Sequence, residues 1–213
     1  MRKNKVIYNE NCTACPRLSA FLINNKKQYP DYHAKPVAPF GEAKPKLLIV
    51  GLAPGMHGAN ATGRPFTGDY AGVLLYETLY KFGFSNQPES TNINDGLILK
   101  DCRITNAVKC LPPENKPIGE EINTCNIYLE EELKQINKNG MVLCLGLIAH
   151  KAVIKALGYK QRDYAFGHGR FYKMDNGITL ADSYHCSRYN TQTRRLTEDM
   201  FHDVFRTIKQ KLK

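Results

Sequence analysis

The segment KPKLLIVGLA, residues 44–53, decides the fold. Its apolar run is short, unbroken and bounded by proline and glycine, the pattern of a strand buried on both faces. Three further runs share that character: RITNAV at 103–108, MVLCLGLIA at 141–149 and GITLADSY at 177–184. The segments between them have helical spacing. Strands alternating with helices imply parallel pairing through right-handed crossovers, with helices on both faces of the sheet.

Ile122, Cys125, Leu129, Leu133 and Ile136 recur at steps of three and four, as do Phe201, Val204, Phe205, Ile208 and Leu212, so each set predicts an amphipathic helix. Thr197 is the expected N-cap of the last helix, with Glu198 and Asp199 near its positive end. Helices are also expected over 70–82, over 147–157 and, after Pro16, over 16–29. Residues 30–45 run through four prolines without periodicity and read as a covering loop. Residues 85–96, SNQPESTNINDG, read as a surface insertion.

A length of 213 residues suits a single domain. With 42% hydrophobic and 23% charged residues, the composition excludes disordered and fibrous classes. No apolar stretch reaches the ~18–20 residues needed to span a bilayer, and MRKNKVIYNENC at the N-terminus holds no signal-peptide core. A soluble intracellular protein is the expectation. Lysine and arginine number 30 against 20 acidic residues, a formal charge of +10 that suits a polyanionic partner as well as simple solubility. Seven cysteines without a secretion signal favour metal ligation over disulfides.

In an open parallel sheet, ligands bind beyond the carboxyl ends of the strands. The first strand empties into GLAPGMHGANATGRPFTGD, residues 51–69, which holds five glycines but neither the P-loop nor the dinucleotide spacing. What remains is either a packing loop or a close-approach loop carrying Phe66 and Asp69, with His57 and Arg64 as donors. Cys12 and Cys15 form CxxC, and fourteen residues separate Cys110 from Cys125. Four thiolates can tether an iron–sulfur cluster or zinc, and the wide second spacing favours the cluster. Against this, Cys15 and Cys125 also fall on apolar stripes and suit a core. Cys102 and Cys144 read as core residues. The last strand ends in SYHCSRYNTQTRRLT, where His185 precedes Arg188, Arg194 and Arg195 around Tyr189. Basic side chains beside an aromatic suit phosphate contacts and base stacking, although a charge run is more often a solvated face.

Three blocks together, GLAPGMHGANATGRPFTGD at 51–69, ITNAVKC at 104–110 and HCSRYNTQTRRLT at 185–197, resemble the uracil-DNA glycosylase superfamily. The likeness is to its iron–sulfur branch, specifically the family 5 or B-type enzymes, and it spans nearly the whole chain. It implies a three-layer α/β/α fold around a central four-stranded parallel sheet. Residues 1–213 would form one such domain, with segment 1–45 tied in by a structural 4Fe–4S cluster on Cys12, Cys15, Cys110 and Cys125. It further implies excision of uracil, and of other deaminated bases such as hypoxanthine, with double-stranded DNA as the expected partner; monomeric action is the simpler assumption. Family 4 relatives carry a polar catalytic residue where this chain has Leu52, which points to family 5. The closing motif normally reads His-Pro-Ser, whereas Cys186 stands here between His185 and Ser187. Gly55 likewise replaces the family's alanine.

On that resemblance, Gly51, Phe66 and Asn106 would hold the base, with Phe66 stacking on the extruded ring and Asn106 reading its edge. His185 would donate to the departing base, and Asp69 would position water or steady the sugar cation, a role in recognising the base being equally compatible. Asn106 counts with Asp69 and His185 among the expected catalytic residues. His57, Ser187, Arg188, Tyr189, Arg194 and Arg195 would meet the DNA. Two other classes fit the residues less well: a non-catalytic nucleic-acid-binding protein with a structural metal centre, and a small-molecule α/β enzyme.

Overall fold

A computed structural model describes residues 8–212; residues 1–7, most of the stretch read for a leader, and Lys213 lie outside them. The elements in chain order are α1 (Pro16–Gln28), β1 (Phe40–Gly41), β2 (Leu47–Gly51), α2 (Ala59–Thr62), α3 (Tyr70–Lys81), β3 (Cys102–Asn106), α4 (Gly119–Leu133), β4 (Met141–Leu145), α5 (Leu147–Ala156), β5 (Phe171–Lys173), β6 (Thr179–Ser183), α6 (Arg188–Gln192) and α7 (Glu198–Lys211). No helix among the described residues is long and apolar enough to cross a membrane.

The sheet has six strands in the order β1-β3-β2-β4-β6-β5, two more than the expected four-stranded parallel centre. Strands β3, β2, β4 and β6 pair in parallel, while β1 and β5 add antiparallel edges. The edges escape a periodicity reading because they are two and three residues long. Strand β1 lies inside the proline-rich stretch expected to be loop, and β5 folds back from β6 through a turn closed by Met174 N donating to Ile178 O at 2.9 Å.

All five residues of β2 are buried, and alternate side chains serve opposite cores. Leu47 and Ile49 pack with Leu75 and Leu79 of α3 and Phe201 and Phe205 of α7. Leu48 and Val50 pack with Leu129 of α4 and Val153 of α5. Each such side chain contributes about 1.5–3 kcal/mol. The chain passes from β2 through α3 to β3 on one face, then returns through α4 to β4 on the other, as right-handed crossovers running in opposite directions require. The switch of direction leaves a crevice beyond Gly51 and Asn106, which stand opposite each other in the parallel pair.

The N-terminal helix covers the chain leaving β3. Leu18 and Leu22 pack against Val108 and Leu111, and Arg17 donates to both carboxylate oxygens of Glu121 at 2.7 and 2.8 Å. Glu121 also accepts from the Ile118 amide at 2.9 Å, which fixes the start of α4. Thr197 caps α7 as expected, accepting from Met200 N at 3.2 Å.

Candidate active site and cysteine cavity

A cleft of about 380 Å³ opens at the carboxyl ends of β2, β3 and β6, and Phe66, Asp69, Asn106, His185 and Ser187 line it. Phe66 and Asp69 come from the loop after β2, His185 and Ser187 from the loop after β6, and Asn106 from the last position of β3. Leu52 and Asn115 line it as well. Asn115 escapes sequence reading: it belongs to a short turn after Pro113 and holds φ at +56°.

Gly51 makes this convergence sterically feasible. A Cβ there would lie 2.5 Å from Asn106 Oδ1 and 2.7 Å from the Phe66 ring. Phe66 itself is 6% exposed and sits at φ +57°, a left-handed conformation that a non-glycine residue holds only under constraint. The constraint comes from both neighbours: Tyr76 donates to Pro65 O at 2.8 Å, and Thr67 Oγ1 lies 2.6 Å from Ser90 Oγ. Arg64, expected to be a donor to ligand, is instead buried and grips both oxygens of Asp95 at 2.8 and 2.9 Å. The 85–96 insertion therefore braces the loop that presents Phe66.

Asp69 caps α3, with Oδ1 accepting from Gly72 N at 3.0 Å. Its other oxygen lies against Gly58, where a Cβ would stand 2.6 Å away. Burial raises its carboxyl above the ordinary range, opposed by the Gly72 and Ala71 amides. His185 faces Phe66 with ring centroids 5.8 Å apart and planes inclined by 25°. Burial pushes its imidazole down to about 4, so it is neutral at physiological pH. Cys186, in the proline position, is fully buried with its thiol donating to Ala71 O at 3.3 Å. That bond ties the turn to α3 where proline would have acted through φ.

The outer residues are less uniform. Ser187 caps α6 through Asn190 N at 3.4 Å. Arg188 lies over the Tyr70 ring at 5.0 Å and Arg195 over Tyr184 at 4.7 Å, both exposed to solvent. Tyr189 is 70% exposed, and exposed Arg194 turns at φ +57°. His57 stands apart from the cleft lining: its Nδ1 lies 2.8 Å from the Tyr32 hydroxyl, and its ring meets those of Tyr29 and Tyr32 edge-on.

Cys12, Cys15, Cys110 and Cys125 line one apolar cavity together with Leu18, Val108 and Tyr128. All four are free thiols. Among the described residues, no three His, Cys, Asp or Glu side chains converge as ligands of a single ion. The four thiols thus share the lining of one space, as a bound cluster or a tetrathiolate zinc would each require. Burial and then the nearby Cys125 push Cys15 up to about 11 and Cys110 up to about 12. Burial also raises Cys125. Cys102 and Cys144 are fully buried in the sheet, as expected of core residues.

The family model of the uracil DNA glycosylase superfamily matches residues 38–209. A type-5 uracil-DNA glycosylase of Thermus thermophilus is 42% identical over 204 residues, covering 93% of each chain. A type-5 uracil-DNA glycosylase of Pyrobaculum aerophilum is 40% identical over 200 residues, covering 92% of this chain and 87% of the relative. A type-4 uracil-DNA glycosylase of the same organism is 36% identical over 155 residues, 71% of each chain.

Proposed function

This chain belongs to the type-5 branch of the uracil-DNA glycosylase superfamily, DNA glycosylases that hydrolyse the N-glycosidic bond, and from that premise we propose how its residues release the base. The observation that carries the reading is the meeting of Phe66, Asp69, Asn106 and His185 in one cleft beyond the sheet. A base stacked in duplex DNA is out of reach, so the nucleotide must turn outward at a cost of a few kcal/mol, least for a mismatch such as U·G. Phe66 receives the ring by stacking, and the Asn106 carboxamide offers one acceptor and one donor to its edge.

Bond cleavage leaves positive charge on the sugar and negative charge on the base. Neutral His185 retains an N–H and donates it to the developing anion without placing a full cation in the cleft. The Asp69 carboxylate, held by the α3 amides, aligns the attacking water and takes up its proton. Leu52 presents no polar group to the base, which supports a wider substrate set that includes hypoxanthine. Arg188, Arg194, Arg195, Tyr189 and Ser187 contact the flanking strand, and His57 adds a contact outside the cleft. The chain acts on double-stranded DNA as a monomer.

The four thiols fit a 4Fe–4S cluster: they line one cavity from sequence-distant elements, and the wide spacing of Cys110 and Cys125 suits a cluster better than zinc. Thiols with raised pKa values become thiolates when a cationic group replaces their protons. When bound there, such a group would serve as a cross-link, through which Cys12 and Cys15 tie the N-terminal segment to Cys125 of α4 and Cys110 after β3.

Single-turnover base release from duplexes carrying U·G, hypoxanthine or no lesion, followed by alkaline cleavage, tests the reading. Release from the two lesions alone is expected. DNA binding without release would replace the reading with a non-catalytic binding module. Iron near four atoms per chain, with absorbance near 400 nm lost on substituting Cys12 or Cys125, is expected; zinc without iron would refute the cluster.

A further inference from the structure

Lys109 lies one residue before Cys110, is 1% exposed, and does not touch the cleft. Its ammonium donates to Glu132 Oε1 at 2.7 Å, to the Asn106 carbonyl at 2.9 Å and to the Thr105 hydroxyl. Its backbone amide donates to Cys125 Sγ at 3.3 Å. One residue thus holds the end of β3, a helix of the opposite layer and a thiol of the cysteine cavity.

The ion pair is a poor device for stability alone. Removing both charges from water is costly, apolar replacements of such pairs are often neutral or stabilising, and Glu132 Oε2 is buried without a partner among the described residues. The ammonium instead supplies a directional grip on the Asn106 peptide, whose side chain opens into the cleft. We propose that Lys109 is a positioning residue for base recognition: it fixes the Asn106 carboxamide from behind the sheet and couples that residue to the cysteine cavity. Resting on the glycosylase reading, this assigns a role to a residue outside the cleft. A displacement near 1 Å of a group aligned to substrate is enough to cost about 10²-fold in rate.

The test is the double variant Lys109→Met with Glu132→Leu, which removes both buried charges together. Its expected profile is a melting temperature and an iron content like the parent's, duplex affinity within about twofold, and a single-turnover uracil release slowed about 10- to 100-fold. In an Asn106→Ala background the same two substitutions should produce no further slowing, because Lys109 acts through Asn106. A parental rate in the double variant, or full additivity with Asn106→Ala, overturns the assignment. Should the double variant not fold, Thr105→Val removes one bond to the ammonium while keeping the ion pair, and an unchanged release rate there overturns it equally. Absence of uracil release by the parent itself would instead discard the glycosylase reading.

Discussion

Asp69 Oδ1 accepts the Gly72 amide at 3.0 Å, so one carboxylate both starts α3 and faces the cleft. The two roles are separable because asparagine caps helices as well as aspartate does. Asp69→Asn is expected to slow single-turnover release about 10²–10³-fold with an almost unchanged melting temperature. Asp69→Ala should show the same slowing together with a loss of about 1 kcal/mol of stability. Equal rates for Asp69→Asn and the parent would leave Asp69 a cap and nothing more.

His185→Ala is expected to slow release about 10²–10³-fold, the usual cost of losing one donor to a developing anion. The imidazole also sets a stability profile. Its folded pKa, about 4, lies below the value of 6.5 for the free group, so the unfolded chain binds the extra proton first. The stability that a neutral His185 confers is complete above about pH 6.5 and is lost as pH falls toward 4. Thermal melts of His185→Gln, which carries no titrating group there, should decline less steeply than the parent across that window.

Asp95→Ala would strand the Arg64 guanidinium, which is 5% exposed. Breaking such a pair costs about 3–5 kcal/mol, or a melting-temperature drop of roughly 10 °C. Arg64 and the backbone amides of Leu97, Thr91 and Asn92 hold the Asp95 carboxyl below its ordinary value despite burial. Its contribution is therefore present above the ordinary carboxylate range and fades as pH falls through the depressed value. Because the pair braces the Phe66 loop, uracil release should slow as well; a variant with the parent's melting point and rate would remove the brace from the account.

Arg188, Arg194 and Arg195 each predict a loss of about one unit in the slope of log affinity against log salt when replaced by alanine, if each neutralises one phosphate. Fluorescence titrations with an undamaged duplex at several salt concentrations would measure it. Three unchanged slopes would return these arginines to a solvated face.

The legible parts of the sequence were those where a local pattern and a global requirement coincide. Leu47–Gly51 must be apolar at every position because two helical layers cover it, and the cleft residues Phe66, Asp69, Asn106 and His185 follow strand ends where an open sheet binds ligands. Strands β1 and β5 left no trace since two or three residues cannot display a period of two. The burial of Arg64 is illegible for another reason: its partner Asp95 lies 31 positions away in a polar insertion, and nothing local distinguishes a buried arginine from an exposed one. Lys109 stood inside a recognised motif, yet its burial depends on Glu132, 23 positions along.

The short antiparallel edges have a consequence for the protein in solution. β1 offers two residues and β5 three, so neither flank of the sheet presents a long row of open amides and carbonyls. Pro39 and Pro45 stand on either side of β1, while exposed Lys173 ends β5, and both features oppose recruitment of another chain's strand. The same two strands that complete the sheet thereby shield its flanks from edge-to-edge association.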